Sequence, residues 1–158
     1  MRVLLVNPPN CGRSIPEERY GISSLRQIFR GEPLALEVLA GNLDGHAVEI
    51  LDLKADPEGL PGTLDRFRPD VVGLTAVTCE ANTGLRLAGE IKERCGAVVV
   101  VGGVHASNDP TYFNHAHVDY VVVGLGKASF AELVTALVTE KGVVRQPDRD
   151  RIARLFAA

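Results

Sequence analysis

The sequence predicts a doubly wound α/β domain built on a parallel sheet of about five strands, and three observations lead there. Short aliphatic and β-branched runs alternate along the chain with segments of helical periodicity. One run, Val98 to Val101, is four consecutive valines, too β-branched for a surface helix and apolar enough for a strand buried on both faces. Glycines then follow the strand ends, at Gly102-Gly103 and at Gly124-Leu125-Gly126, where a backbone free of side chains can approach a ligand.

Arg2 to Val6 reads as the first strand, ended by Asn7-Pro8-Pro9, which cannot continue a central ladder. The stretch from Asn10 to about Gly31 is a long loop, and loops of that length tend to be functional. Pro33 suits the first turn of a helix whose apolar face is Leu34, Leu36, Val38, Leu39 and Leu43, with Gly45 ending it. Ala47 to Leu53 is the second strand. Pro57 to Phe67 predicts a short, weak helix broken by Gly59, Pro61 and Gly62. Val71 to Thr75 is the third strand, and a helix from about Glu80 to Arg94 follows on Leu85, Leu87, Ala88 and Ile91. After the valine strand, Asp109-Pro110 looks like a helix start, with a short turn over Thr111 to His115. Val118 to Val123 predicts the fifth strand and Ala128 to Lys141 the last helix, carrying Phe130, Leu133, Val134 and Leu137. Right-handed crossovers between five such strands favour the flavodoxin-like (Rossmann-like) order 2-1-3-4-5. A domain over 1–142 is expected, with the Arg-rich segment 143–158 a capping helix or the start of a linker.

At 158 residues, with 46% hydrophobic and 23% charged residues and a net charge of -3, the chain suits one soluble domain. No basic excess points to nucleic acid, and 5% aromatics without Trp argue against a base-stacking platform. The longest apolar runs are far too short to span a membrane, and the N-terminus does not read as a signal peptide. Cys11, Cys79 and Cys95 have no paired spacing. They read as free thiols in a reducing cytoplasm and supply no zinc or iron–sulfur motif.

Ligands of open parallel sheets sit at the carboxyl ends of the strands. Four loops fall there: Pro8-Pro9-Asn10-Cys11-Gly12, Thr75-Ala76-Val77-Thr78, Gly102-Gly103-Val104-His105 and Gly124-Leu125-Gly126-Lys127. Three carry glycine and the fourth two hydroxyls, a pattern suited to a large ligand lying over backbone. The candidate binding residues are Pro8, Pro9, Cys11, Thr75, Val77, Thr78, Gly102, Gly103, His105, Gly124 and Gly126. No catalytic constellation and no metal-ligand set stands out. Read alone, Thr75 suits a strand end as well as it suits ligand contact, and His105 could meet a ligand or fix its own loop. Cys11 is an ordinary small loop residue or a thiol near the ligand. His115-Ala116-His117 lacks further ligands at metal spacing and reads as surface.

Together these loops and their surroundings carry a resemblance. Val6-Asn7-Pro8-Pro9, the stretch from Leu39-Ala40-Gly41 to Glu49-Ile50-Leu51-Asp52, and Pro69-Asp70-Val71-Val72-Gly73-Leu74-Thr75 contribute. So do Val101-Gly102-Gly103-Val104-His105-Ala106-Ser107 with Pro110, and the run from Val118 to Gly124. From about Arg2 to Lys141 the chain resembles the cobalamin (vitamin B12)-binding domain found N-terminal to the catalytic domain of cobalamin-dependent radical S-adenosylmethionine (radical SAM) enzymes. The resemblance implies cobalamin as cofactor, with its nucleotide tail pulled from cobalt and buried beside the sheet. Thr75 and Gly102-Gly103 would make room for that tail.

Related carrier domains use Asp-x-His-x-x-Gly after the first strand, where the His ligates cobalt. No His lies in that loop here. Asp44-Gly45-His46 is a partial match on the wrong loop, and His46 reads as a turn residue. The family's usual Gly-Glu-Gly-Glu is departed from at Leu125 and Lys127, which puts any role of those acids in doubt. Without a Cys-x-x-x-Cys-x-x-Cys motif the chain cannot hold the family's iron–sulfur cluster in that form. The expectation is a binding domain, not catalytic by itself. It would serve methyl transfer or a related reaction with a radical SAM domain in the same longer chain or in a separate protein. The alternative is a flavodoxin- or receiver-like regulatory module without corrin, although Asn7-Pro8-Pro9 and Thr75 replace the acids a receiver needs.

Overall fold

The computed structural model of the chain describes residues 1–9 and 32–139. The long loop from Asn10 to Gly31, with Cys11, and the segment 143–158 lie outside them.

Five parallel strands form one sheet: β1 (Arg2–Asn7), β2 (Ala47–Asp52), β3 (Val71–Thr75), β4 (Val98–Gly102) and β5 (Tyr120–Val121). Their order is β2-β1-β3-β4-β5, the doubly wound order that the sequence predicts. Among the described residues the α-helices, in chain order, are α1 (Leu34–Ala40), α2 (Gly59–Phe67), α3 (Ala81–Cys95), α4 (Val104–Asn108) and α5 (Lys127–Thr139). The central strands alternate between two cores, as a sheet covered on both faces must. Leu4, Val6, Val72, Leu74, Val99 and Val101 face α2 and α3, whereas Val3, Leu5, Val71 and Val100 face α1 and α5.

Several elements differ from the sequence reading, each for a local reason. α1 stops at Ala40, before Gly45: Gly41 N–H closes on Glu37 O and the Asn42 side chain takes Val38 O. Only Leu36 and Leu43 of the predicted apolar face are buried, and Leu34 and Val38 point outward. α2 is continuous through Pro61, because Pro61 occupies the first turn, where a missing N–H costs no helical bond. α4 begins directly after Gly103, where the sequence suggested only loop. Asp109-Pro110 starts a single 3-10 turn over Pro110–Phe113. β5 keeps ladder geometry over two residues of the predicted six. Asp119, just ahead of it, uses its carboxylate to accept Val99 N–H at 2.7 Å and to pair with Lys92.

Candidate functional site

Because every strand pairing is parallel, the loops after β1, β3, β4 and β5 leave from one edge of the sheet. On the α1/α5 side of that edge lies a hollow of about 380 Å³, within the range of small-molecule sites. Its inner wall is apolar: Leu5, Val100 and Val122 from the sheet side, Leu36 and Leu39 from α1, and Phe130 from α5. Its rim is Thr75, Gly102, Gly103, Gly124 and Gly126, together with Val104, Ser107 and Asn108 of α4 and the fully exposed Leu125.

Gly73 explains why the hollow exists. It sits in register between Leu5 and Val100 on the α1/α5 face. A Cβ there would stand 2.9 Å from Leu5 Cδ2 and 3.2 Å from Phe130 Cζ. Both side chains therefore lie down over the glycine, and a larger residue would push them into the open space. Glycine inside a strand is intrinsically unfavourable, so this position marks a close approach of other groups.

Gly103 has a different reason for being glycine. Its φ is +103°, and a Cβ would come within 2.8 Å of Ala76 O and 2.9 Å of Thr75 Oγ1. The space it frees is occupied by the β3 loop. His105 N–H donates to Ala76 O and Ala76 N–H to Gly102 O, so the two loops are laced together. The Thr75 hydroxyl lies against this junction, and no described residue hydrogen-bonds it. Ser107 joins the third loop: its hydroxyl donates to Gly103 O and accepts from Gly124 N–H, both at 2.9 Å.

Among the described residues, the other half of the edge, over β1 and β2, is polar and hydrogen-bonded. Buried Asn7 donates to Asp52, whose same oxygen accepts Lys54 N–H. Lys54 Nζ reaches Glu80 Oε1 at 2.8 Å, and the Glu80 side chain is 5% exposed. Lys54 follows β2 and Glu80 follows β3, so this ion pair ties together the two strands flanking β1. Glu80 also accepts Val77 N–H at 3.4 Å, holding the β3 loop from behind.

Of the candidates drawn from sequence, Thr75, Gly102, Gly103, Gly124 and Gly126 meet around the hollow. Pro8 is buried and Pro9 half-buried at the end of β1, outside its lining. Val77 and Thr78 are exposed beside the Lys54–Glu80 pair. His105 turns away from the hollow. Its ring packs edge-on against Tyr112 and Phe113, at centroid distances of 4.9 and 5.7 Å, with Nε2 buried and unpartnered among the described residues. Asp109 caps the 3-10 turn beneath it, and the hydrogen bond from the Thr111 hydroxyl holds its carboxyl below the usual range. His46 lies at the opposite edge of the sheet, against the N-terminal amine. Gly73, Leu36, Leu39, Phe130 and Ser107 went unnoticed as lining residues. The one signal available was Gly73, a glycine inside an otherwise strand-like run.

A family profile described as B12 binding domain matches residues 29–134. An uncharacterised methyltransferase of Pyrococcus horikoshii is 33% identical over 148 residues, covering 87% of this chain and 29% of the relative. The anaerobic magnesium-protoporphyrin IX monomethyl ester cyclase of a Synechocystis strain is 29% identical over 153 residues, covering 87% and 28%. A methylthioribose-1-phosphate isomerase of Albidiferax ferrireducens matches over 27 residues, 17% of the chain. The chain thus spans under a third of the length of the first two relatives.

Proposed function

The chain belongs to the B12-binding domain family, its cofactor is cobalamin, and we propose that it acts as the cofactor-holding module of a radical SAM-type methyl transfer or related reaction. One observation carries this reading: the rim of the hollow gathers five of the residues chosen from sequence, off three separate strand ends, above an apolar interior. The residues fit the group. Gly102, Gly124 and Gly126 add no side chains of their own to the rim, Gly73 keeps the interior open, and the Thr75 hydroxyl has a hydrogen bond to give. These residues would hold the nucleotide tail.

Bound cobalamin supplies a cobalt centre able to carry a methyl group. The chain's own part is to bind and orient. No His stands in the loop after β1, so that loop would have no imidazole to offer cobalt. The catalytic partner is a radical SAM domain, in the same longer chain or in a separate protein of a reducing cytoplasm. Its support is that the chain spans under a third of the length of each of the two relatives. Purified protein mixed with hydroxocobalamin should carry a red chromophore through gel filtration. Loss of all colour from the protein peak would overturn the proposal.

A further inference from the structure

We propose that Glu80 is a positioning residue for the cofactor, although it lies outside the hollow. Through Lys54 and Val77 it sets where the loop after β3 stands, and with it the Thr75 hydroxyl. This role rests on the cobalamin-binding reading above and adds to it a residue that governs how well the site binds.

The two oxygens of the Glu80 carboxylate are divided between two elements. Oε1 takes Lys54 Nζ at 2.8 Å, and Oε2 accepts Val77 N–H at 3.4 Å. Glu80 N–H returns a bond to Val77 O at 2.9 Å. Lys54 is itself fixed, since its N–H donates to Asp52 Oδ1 while neighbouring Leu53 N–H donates to Asn7 O. The carboxylate therefore fastens the β3 loop to the ends of β1 and β2. On its other side the loop meets the segment after β4. Ala76 N–H donates to Gly102 O at 3.0 Å, and His105 N–H to Ala76 O at 3.2 Å.

Stability does not account for such a pair. The Glu80 and Lys54 side chains are 5% and 19% exposed, and withdrawing two charges from water offsets most of what their attraction returns. An apolar pair of similar volume often serves a fold as well or better. What an apolar pair lacks is an acceptor aimed at Val77 N–H. Val77 is 41% exposed, so its own packing does little to hold the loop. One fully buried residue, Ala76, separates it from Thr75, so a shift at Val77 passes to the hydroxyl. Hydrogen bonds weaken steeply as distance and angle depart from the optimum, and a displaced hydroxyl forfeits its bond to the ligand.

Two double variants separate position from stability. Lys54→Met with Glu80→Leu removes the charges and the acceptor together. Lys54→Met with Glu80→Gln removes the charges and keeps an amide oxygen for Val77 N–H. Urea titration establishes that each is folded, and equilibrium dialysis reads hydroxocobalamin affinity. The first pair should bind roughly two- to tenfold more weakly than the unaltered chain, the value of one hydrogen bond, and the second within about twofold. In the absence of ligand, Ala76 N–H should exchange faster in the first pair, with the protection of Leu74 N–H inside the sheet unchanged. Glu80→Ala also lacks the acceptor and gives the same two readings should the first pair not fold. Unchanged affinity or unchanged Ala76 exchange in the variants without the acceptor would overturn the positioning role. So would a second pair that binds as weakly as the first. If the unaltered chain binds no hydroxocobalamin, the cobalamin reading fails and this role with it. If it binds and the first pair binds equally well, only the positioning role falls.

Discussion

The two halves of the carboxyl edge solve the same problem in opposite ways. Over β3, β4 and β5 the strand ends bring Thr75, Gly102-Gly103, Gly124 and Gly126 to the rim of an apolar hollow of about 380 Å³. Over β1 and β2 the described strand ends are tied together by Asn7, Asp52, Lys54 and Glu80, with the Lys54–Glu80 pair largely withdrawn from water. The contrast separates two tasks. A hollow for a ligand must leave contacts unmade, which costs packing energy. A buried ion pair is demanding in the other sense, since removing either partner leaves a charge without compensation. The β3 loop is where they meet, held by Glu80 on one side and by Gly103 on the other.

That division can be broken experimentally, and the largest effect is expected on the polar half. Glu80→Ala should lower unfolding stability by about 3 kcal/mol in urea titrations, with hydroxocobalamin still retained by the folded protein. Pairing Lys54→Met with Glu80→Leu should recover most of the loss. A single-variant loss below about 1 kcal/mol would mean that water reaches the pair. Gly103→Ala acts at the junction, forcing a side chain into a left-handed conformation and against Ala76. It should cost about 2–3 kcal/mol and weaken hydroxocobalamin binding as well. An effect on stability alone would show that the two halves are not coupled through this residue.

Thr75→Val sharpens the comparison from the open side. It keeps the side chain's shape and removes the hydroxyl, so stability should hold within about 0.5 kcal/mol. Hydroxocobalamin affinity should fall roughly two- to tenfold, the value of one hydrogen bond; unchanged affinity would remove Thr75 from the site. The smallest effect concerns Asp109. Its carboxyl titrates below the usual range in the folded chain, chiefly through the Thr111 hydroxyl. Its capping contribution is therefore complete above the ordinary Asp range and fades as pH falls through the depressed value. Hydrogen-exchange protection of Tyr112 N–H should weaken only in that acid window.

The central strands were legible because strands buried on two faces must be apolar, as Val71 to Leu74 and Val98 to Val101 are, and the right-handed crossover rule then favoured their order. Boundaries were less legible where side chains compete with the ladder or the helix, as Asp119 does beside β5 and Asn42 after α1. The site was half legible. Thr75, Gly102, Gly103, Gly124 and Gly126 stand out because parallel topology sends their loops to one edge. His105 looked alike in sequence, yet α4 turns its ring toward Tyr112 and Phe113.

By itself the sequence determined the strands, the edge where the glycine-bearing loops gather and the resemblance to cobalamin-binding domains, because hydrophobic periodicity and loop glycines are local properties, and the crossover rule then favoured the strand order. Only the tertiary structure decided where the hollow opens. That depends on Gly73 lying in register between Leu5 and Val100 beneath Phe130, residues far apart in the chain. It also reassigned Gly103, whose missing side chain makes room for Ala76, a neighbour that no local pattern reveals.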